Sequence, residues 1–199
     1  MSSAPLSSRS AISALALASL LVALAACSSA PSGPRAVLDE KTGVTINTVA
    51  QPLLFARVRT DISGFAHDYV MLVALESDNA GKYMQLFLLY RWPIAGGAEP
   101  QQSGQPGGEL LIEADGHEID LHALDRVPIG MVGSKQLFAP QGSDVATFAY
   151  STDFETMRTI AMSHDLSVRM PQEPPDMPFT IWQDGRPALA QLVNQLNGS

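Results

Sequence analysis

Two long apolar runs separated by a turn constrain the fold more than any other feature of this chain. The first run is residues 69–75 (YVMLVAL), and the second is the middle of residues 83–92 (YMQLFLLYRW). Asp78-Asn79-Ala80-Gly81 lies between them and has the composition of a turn. Apolar residues follow one another without alternation, so both faces of each strand must be covered. The runs therefore predict a β-hairpin of two central strands.

A second hairpin is predicted over residues 109–124, where Asp115-Gly116 separates two shorter apolar-rich runs. A type I′ turn needs positive φ at both central residues, and Asp-Gly favours it. Centring the turn on this dipeptide fixes the register of the two strands. One face then carries Ala114 with His117, Ile112 with Ile119, and Leu110 with Leu121. The other face carries Glu113 with Glu118, Leu111 with Asp120, and Glu109 with His122.

The rest of the chain predicts shorter strands and two helices. Thr152 and Glu155 have the spacing of a capping box, which predicts a helix over residues 153–163. A second amphipathic helix is predicted over residues 187–196. The further strands are predicted at residues 44–50, 53–59, 136–139, 145–150, 166–170 and 179–183. The expected fold class is α+β, with β-rich antiparallel sheets of about eight strands and two packed amphipathic helices.

The first 26 residues have the composition of an export signal. Arg9 is their only charge, and residues 11–26 are uncharged and apolar, a run shorter than the roughly 20 residues of a transmembrane helix. A positive start, a short apolar run and small residues at its end are typical of a secretory signal. Leu24-Ala25-Ala26-Cys27 ends this run and resembles the lipobox of bacterial lipoproteins.

The lipobox resemblance implies cleavage before Cys27 and lipidation of its thiol. It divides the chain into a signal peptide (1–26), a lipidated cysteine with a flexible tether (27–43) and one β-rich globular domain (44–199). Ser28 follows the cysteine, which in lipoproteins of two-membrane bacteria implies the outer membrane, facing the periplasm. Cys27 is the only cysteine, so the domain has no intrachain disulfide. The domain itself resembles only uncharacterised proteobacterial lipoproteins, and this resemblance indicates neither a particular activity nor particular site residues.

The negative charge of the chain limits the classes of partner that it can bind. The formal net charge is −8, and loss of the signal, whose one charge is Arg9, makes the remaining chain more negative still. Nucleic acids and anionic lipid surfaces attract clusters of Lys and Arg, which this chain lacks. We therefore expect no nucleic-acid partner. The expected partners are the membrane, through the lipid anchor, and an envelope protein.

The sequence contains no motif for nucleophilic, zinc-dependent or nucleotide-dependent catalysis. We predict no catalytic residue and no cofactor, so the sequence favours a non-enzymatic function. His67-Asp68 resembles a base with its orienting carboxylate, but it is interpreted as a solvated pair in a loop. The acidic face of the second hairpin collects candidate metal ligands, namely Glu109, Glu113, Glu118, Asp120 and His122. Carboxylates and imidazole bind Ca²⁺ or transition ions, but the absence of a ligand loop favours a solvated acidic face.

Trp92 and Trp182 are the candidate binding residues. Trp92 ends the central hairpin beside a long polar segment rich in Gly and Pro, residues 93–108, and Trp182 lies near the end of a later strand. Either tryptophan can line a groove for a peptide or glycan, but packing in the core is the favoured interpretation of both. Two functions stay open: a non-enzymatic module for protein binding or envelope assembly and maintenance, or a domain that binds a small ligand or metal through the acidic hairpin face.

Overall fold

The computed structural model describes residues 33–59, 66–92, 108–128, 138, 145–170 and 177–198. The strands are β1 Arg35–Asp39, β2 Val44–Thr48, β3 Leu53–Val58, β4 His67–Asn79, β5 Lys82–Trp92, β6 Leu110–Ala114, β7 His117–Leu121, β8 Ala146–Thr152, β9 Leu166–Arg169 and β10 Phe179–Gln183. The helices are α1 Phe154–Met162 and α2 Arg186–Asn197. The predicted fold class is confirmed: a β-rich α+β chain, mostly antiparallel sheet, with two helices.

The central hairpin is formed by β4 and β5, as predicted. The two strands pair from Tyr69 with Trp92 to Asn79 with Lys82. Ala80 and Gly81 form the turn with φ of 52° and 83°, and Asp78 accepts a hydrogen bond from the Gly81 N–H at 2.8 Å. Residues 70–75 and 86–90 are all buried, so both faces of the hairpin are covered. On its other edge β4 pairs with β3 near its start and with β2 near its end.

The second hairpin has the predicted turn and register. Asp115 and Gly116 both have positive φ, at 50° and 78°, as a type I′ turn requires. Strands β6 and β7 pair Ala114 with His117, Ile112 with Ile119, Leu110 with Leu121, Glu113 with Glu118 and Leu111 with Asp120. The local turn chemistry alone was sufficient to set this register.

Eight of the strands form a closed antiparallel sheet. From β4 the hydrogen-bonded neighbours run through β3, β10, β9 and β6 to β7, and on the other side through β5 to β8. The residues just after β7 complete the ring against β8, because the Leu124 N–H donates to Ala149 O at 2.8 Å and the Ser151 N–H donates to His122 O at 3.1 Å. Strands β2 and β1 extend from the edge of β4 outside this ring.

The middle of the inward face of the closed sheet is filled by apolar side chains, and charged residues lie at one end of it. Cross-strand register partners share a face, and partners such as Leu72, Leu89 and Phe148 are at most 5% exposed. The opposite face of β7 and β10 carries exposed residues such as Asp120 and Thr180, which identifies it as the outward face. A closed sheet of about eight strands has an interior just wide enough for side chains, so this interior is a core.

The predicted end of the tether is wrong, because part of it forms strand β1. The tether was predicted to reach residue 43, but Arg35–Asp39 pairs with all of β2. Asp39 holds the connecting turn by accepting hydrogen bonds from the Lys41 N–H at 3.0 Å and the Thr42 hydroxyl at 2.8 Å. Three apolar residues between two charged residues are too short a pattern to predict a strand. Residues 35–39 form a strand because they pair with the edge of β2. The rest of the predicted tether before residue 33 lies outside the described residues.

The helices follow the prediction with one change at the start of α1. Asp153, not Thr152, is the N-cap, and its carboxylate accepts a hydrogen bond from the Thr156 N–H at 2.7 Å. Thr152 is still paired with Gln85 in the sheet, so its backbone cannot begin the helix. The strand predicted over residues 136–139 lies outside the described residues except for Phe138, which is in a turn. Neither described helix is long and apolar enough to cross a membrane.

Candidate binding surface

Three aromatic side chains gather on the outward face of β4 and β10, beside one exposed valine. The ring centroid of Trp182 lies 5.1 Å from that of His67 and 5.8 Å from that of Tyr69. The Tyr69 and Trp182 rings meet edge to face, at 81°, a favourable arrangement for aromatic pairs. Trp182 is 57% exposed and Val58, opposite His67 in the register, is 54% exposed. We call Val58, His67, Tyr69 and Trp182 the aromatic patch.

Trp182 lies at a bulge in β10. Thr180 pairs with Ala56 and Ile181 with Phe55, but the next pairing joins Gln183 to Leu54 and leaves Trp182 as the extra residue. A β-bulge redirects the side chain of the inserted residue and bends its strand. Ala56 lies between Thr180 and Tyr69 in the register, and its small side chain leaves room for the indole to reach Tyr69.

Charged residues on the inward face hold the strands beneath the patch. Asp68 accepts from the Arg57 guanidinium at 2.9 Å and from the Arg59 guanidinium at 3.2 Å. All three side chains are between 11% and 16% exposed, and Arg57 also lies over the ring of Phe179 at 4.4 Å. These contacts tie β3, β4 and β10 together, so the aromatic patch stands on a fixed part of the sheet.

The interpretation of His67-Asp68 as a solvated loop pair is wrong. Both residues belong to β4, so their side chains point to opposite faces: His67 joins the aromatic patch outside, and Asp68 joins the two arginines inside. The sequence contained the signal, since His67 and Tyr69 are two residues apart and continue the strand pattern towards its start. Trp92 ends β5 opposite Tyr69 in the register, and the role predicted for its side chain lies outside what the structure describes.

The five predicted metal ligands do not converge on one point. Within the described part of the chain, no three His, Cys, Asp or Glu side chains are close enough together to hold a metal ion. His122 and Glu109 face each other at 3.9 Å in solvent. Arg169, from β9, forms ion pairs with both Glu113 and Glu118, because β9 lies directly beside β6. The acidic face is therefore partly neutralised by a residue that the hairpin sequence does not contain.

A cleft of about 350 Å³ lies where the Asp115-Gly116 turn meets the start of α2. Its polar lining includes Glu113, His164 and Arg186. Arg186 is already used by the fold, since its guanidinium contacts the Asp184 carboxylate at 2.8 Å and donates to the carbonyls of Ser163 and His164 at 2.6 Å. The hydrogen bonds from Arg186 lower the pKa of Asp184.

The Asp115 carboxylate beside this cleft is also committed to the fold. It accepts the backbone N–H groups of His164 and Asp165 at 2.8 Å each, and the hydrogen bond from Asp165 in particular lowers the pKa of Asp115. These bonds join the second hairpin to the start of β9. Both Arg186 and Asp115 therefore stabilise the fold around the cleft.

No protein-family model, curated protein or solved structure matches this chain. Of the predicted binding residues, Trp182 lies in an exposed cluster, and His67 and Tyr69 are the members that sequence reasoning missed.

Proposed function

We propose that this chain is a lipoprotein, anchored at the outer membrane through Cys27 and facing the periplasm, whose domain is a non-enzymatic module that binds another envelope protein through the aromatic patch. The observation that carries the proposal is the position of Trp182, which is 57% exposed on a closed sheet and in contact with two further rings. Interfaces draw most of their binding energy from a few such aromatic anchors.

The environment of the patch supports binding rather than core packing. Tyr69 and His67 are half-buried and fix the indole from one side, so little side-chain entropy remains to be lost when a partner covers Trp182. On the inward face below the patch, the ion pairs of Asp68 with Arg57 and Arg59 hold β3 and β4 in place. Anchoring to a membrane raises the effective concentration of the domain near other envelope proteins, so a modest affinity is sufficient.

The second candidate function is binding of a small ligand in the cleft beside Glu113. Its volume, about 350 Å³, falls in the range of ligand pockets, which starts at about 300 Å³. Ligand pockets are mainly apolar with a few free polar groups, whereas Arg186 and Asp115 are saturated by structural hydrogen bonds here. We therefore place protein binding first.

Replacing Trp182 with alanine is expected to weaken partner binding strongly and leave the fold intact. Loss of an aromatic anchor costs about 2 kcal/mol or more, roughly a 30-fold loss of affinity. A photoreactive amino acid at the neighbouring exposed Gln183, in the full chain in its own envelope, should crosslink to one envelope protein, and Trp182→Ala should strongly reduce that product. Thermal unfolding should be nearly unchanged, because Trp182 is mainly exposed.

Tyr83 provides the matched control, since it is an aromatic residue, 63% exposed, at the turn end of β5. Tyr83→Ala should leave the product unchanged, and the same photoreactive group at position 83 should capture nothing at a comparable level. An undiminished product in Trp182→Ala would place the binding surface elsewhere on the domain.

Lipidation is expected at Cys27. Mass spectrometry of the N-terminal peptide should find an acylated cysteine that follows cleavage after Ala26, and Cys27→Ala should release the protein from the membrane fraction or leave its signal uncleaved. Two or more acyl chains hold a protein stably, at about 0.8 kcal/mol per buried CH₂. A mature protein that begins at an unmodified Cys27 would refute the lipid anchor, but it would not affect the proposal that the aromatic patch binds a partner.

A further inference from the structure

We propose that β1 pairs with β1 of a second copy of this chain, antiparallel and centred on Val37, so that the two sheets join edge to edge. In the part of the chain that the structure describes, β1 pairs with β2 on one edge and with no strand on the other. An edge strand presents alternate backbone N–H and C=O groups outward, which is a template for another strand.

The sequence of β1 is complementary to itself. It reads Arg35-Ala36-Val37-Leu38-Asp39, so an antiparallel copy centred on Val37 places Arg35 opposite Asp39 at both ends. Ala36 then lies opposite Leu38, which is 60% exposed in the single chain. Opposite charges and apolar residues facing each other across strands are stabilising. A shift of two residues in either direction removes both charge pairs, so this register is specified.

The edge of β7 shows by contrast how a strand avoids such pairing. Residues His117–Leu121 pair with β6, and the contact with β8 starts only after Leu121. An antiparallel copy of β7 centred on Ile119 would place Glu118 opposite Asp120, and like charges in that position repel. Charged edges are a common protection against pairing, but in the register centred on Val37 the charges of β1 attract each other.

A single five-residue strand pair is marginal in dilute solution, so the pairing is expected to be populated where the chain is concentrated. This step rests on the proposed lipid anchor: residues 28–34 would then join Cys27 to β1 and span up to about 23 Å. In the antiparallel pair the two Arg35 residues lie roughly 15 Å apart, so both anchors can reach the same membrane while the strands are paired.

Disulfide crosslinking in membranes tests the pairing and its register. We expect Val37→Cys in the full chain to give a crosslinked dimer under a mild oxidant, because residue 37 faces its own copy within disulfide reach. Ala36→Cys and Leu38→Cys should each give little dimer alone but should crosslink to each other when the two variants are expressed together. The wild-type protein is the control for dimer crosslinked through Cys27 itself. Tyr83→Cys is the control for dimer that forms when two chains collide at random in the membrane.

The charge pairs are tested by substitution of Arg35 in the Val37→Cys background. Arg35→Glu should reduce the dimer to the level of Tyr83→Cys, whereas Arg35→Lys should retain it. Far-ultraviolet circular dichroism and thermal unfolding establish that the variants fold. No dimer from Val37→Cys above Tyr83→Cys, or equal dimer from Arg35→Glu and Arg35→Lys, would overturn the proposal. If the dimer is lost only when the protein is released from the membrane by Cys27→Ala, the anchor supplies the concentration; a dimer that survives release means that β1 is sufficient alone.

Discussion

Raising the pH from 10 towards 12 is expected to remove about 5 kcal/mol of stability and to unfold the domain. The cause is the burial of Tyr90 and Tyr150, each of which is 1% exposed. Burial raises the pKa of both phenols from 10.0 to about 12, because the interior disfavours the phenolate. A shift of this size corresponds to about 2–3 kcal/mol per tyrosine, and native domains are stable by only about 5–15 kcal/mol.

The direction follows from proton binding. The unfolded chain releases the phenol protons near pH 10, and the folded chain retains them to about pH 12. The stabilisation by neutral, buried tyrosine is therefore complete below pH 10 and is lost as the pH rises towards 12. Unfolding followed by circular dichroism should coincide with a cooperative rise in tyrosinate absorbance.

Tyrosine-to-phenylalanine variants separate this cause from general alkaline denaturation. The Tyr90→Phe and Tyr150→Phe double variant has no phenol left to ionise at these sites, so it should remain folded to a higher pH than wild type. Tyr83→Phe is the matched control, because Tyr83 is exposed. If the double variant and wild type unfold at the same pH, ionisation of these two residues does not limit stability.

Gly185→Ala is expected to destabilise the domain by about 3 kcal/mol. A Cβ at residue 185 would lie 2.4 Å from Pro52 O, 2.5 Å from Pro52 C and 2.8 Å from Leu53 N. All three are backbone atoms at the start of β3, which is paired with both β4 and β10, so they cannot move without disturbing the sheet. Gly185 also accepts the hydrogen bond from the Leu189 N–H at 3.0 Å that begins α2.

Gly33→Ala is the control for this substitution, since a Cβ at residue 33 has no atom within 4 Å. Its effect should be within about 0.5 kcal/mol. The midpoints of urea unfolding compare the two variants directly, because the same methyl group is added in each. Equal midpoints would mean that the contact between Gly185 and Pro52 relaxes at little cost.

Local patterns determined much of the sheet before any tertiary information was needed. Asp115-Gly116 specified both a type I′ turn and the register of β6 with β7, since a two-residue turn leaves no freedom in pairing. The unbroken apolar runs specified that β4 and β5 are covered on both faces. Both results depend on residues that are near one another in the chain.

The candidate surface was predicted only in part. Trp182 was predicted as a candidate binding residue, but its neighbours His67 and Tyr69 are separated from it by more than a hundred residues in the sequence. Their meeting requires β10 to pair with β3 and β3 to pair with β4, and Trp182 lies at a bulge in β10. Strand order and bulges depend on long-range pairing, about which the period of a single strand carries no information.

The sequence by itself therefore determined the elements with strong local signals: the two hairpins, the strands β9 and β10, and the amphipathic helices. It also supplied the lipobox pattern at Cys27. Only the tertiary structure decided the closure of the sheet, the ion pairs of Arg169 with Glu113 and Glu118, and the pairing of β1 with β2. The physical reason is that alternation along a strand determines which face of the sheet a side chain points to. The residues that lie beside it come from strands far away in the sequence, and which of these strands pair depends on long-range contacts that require loop closure.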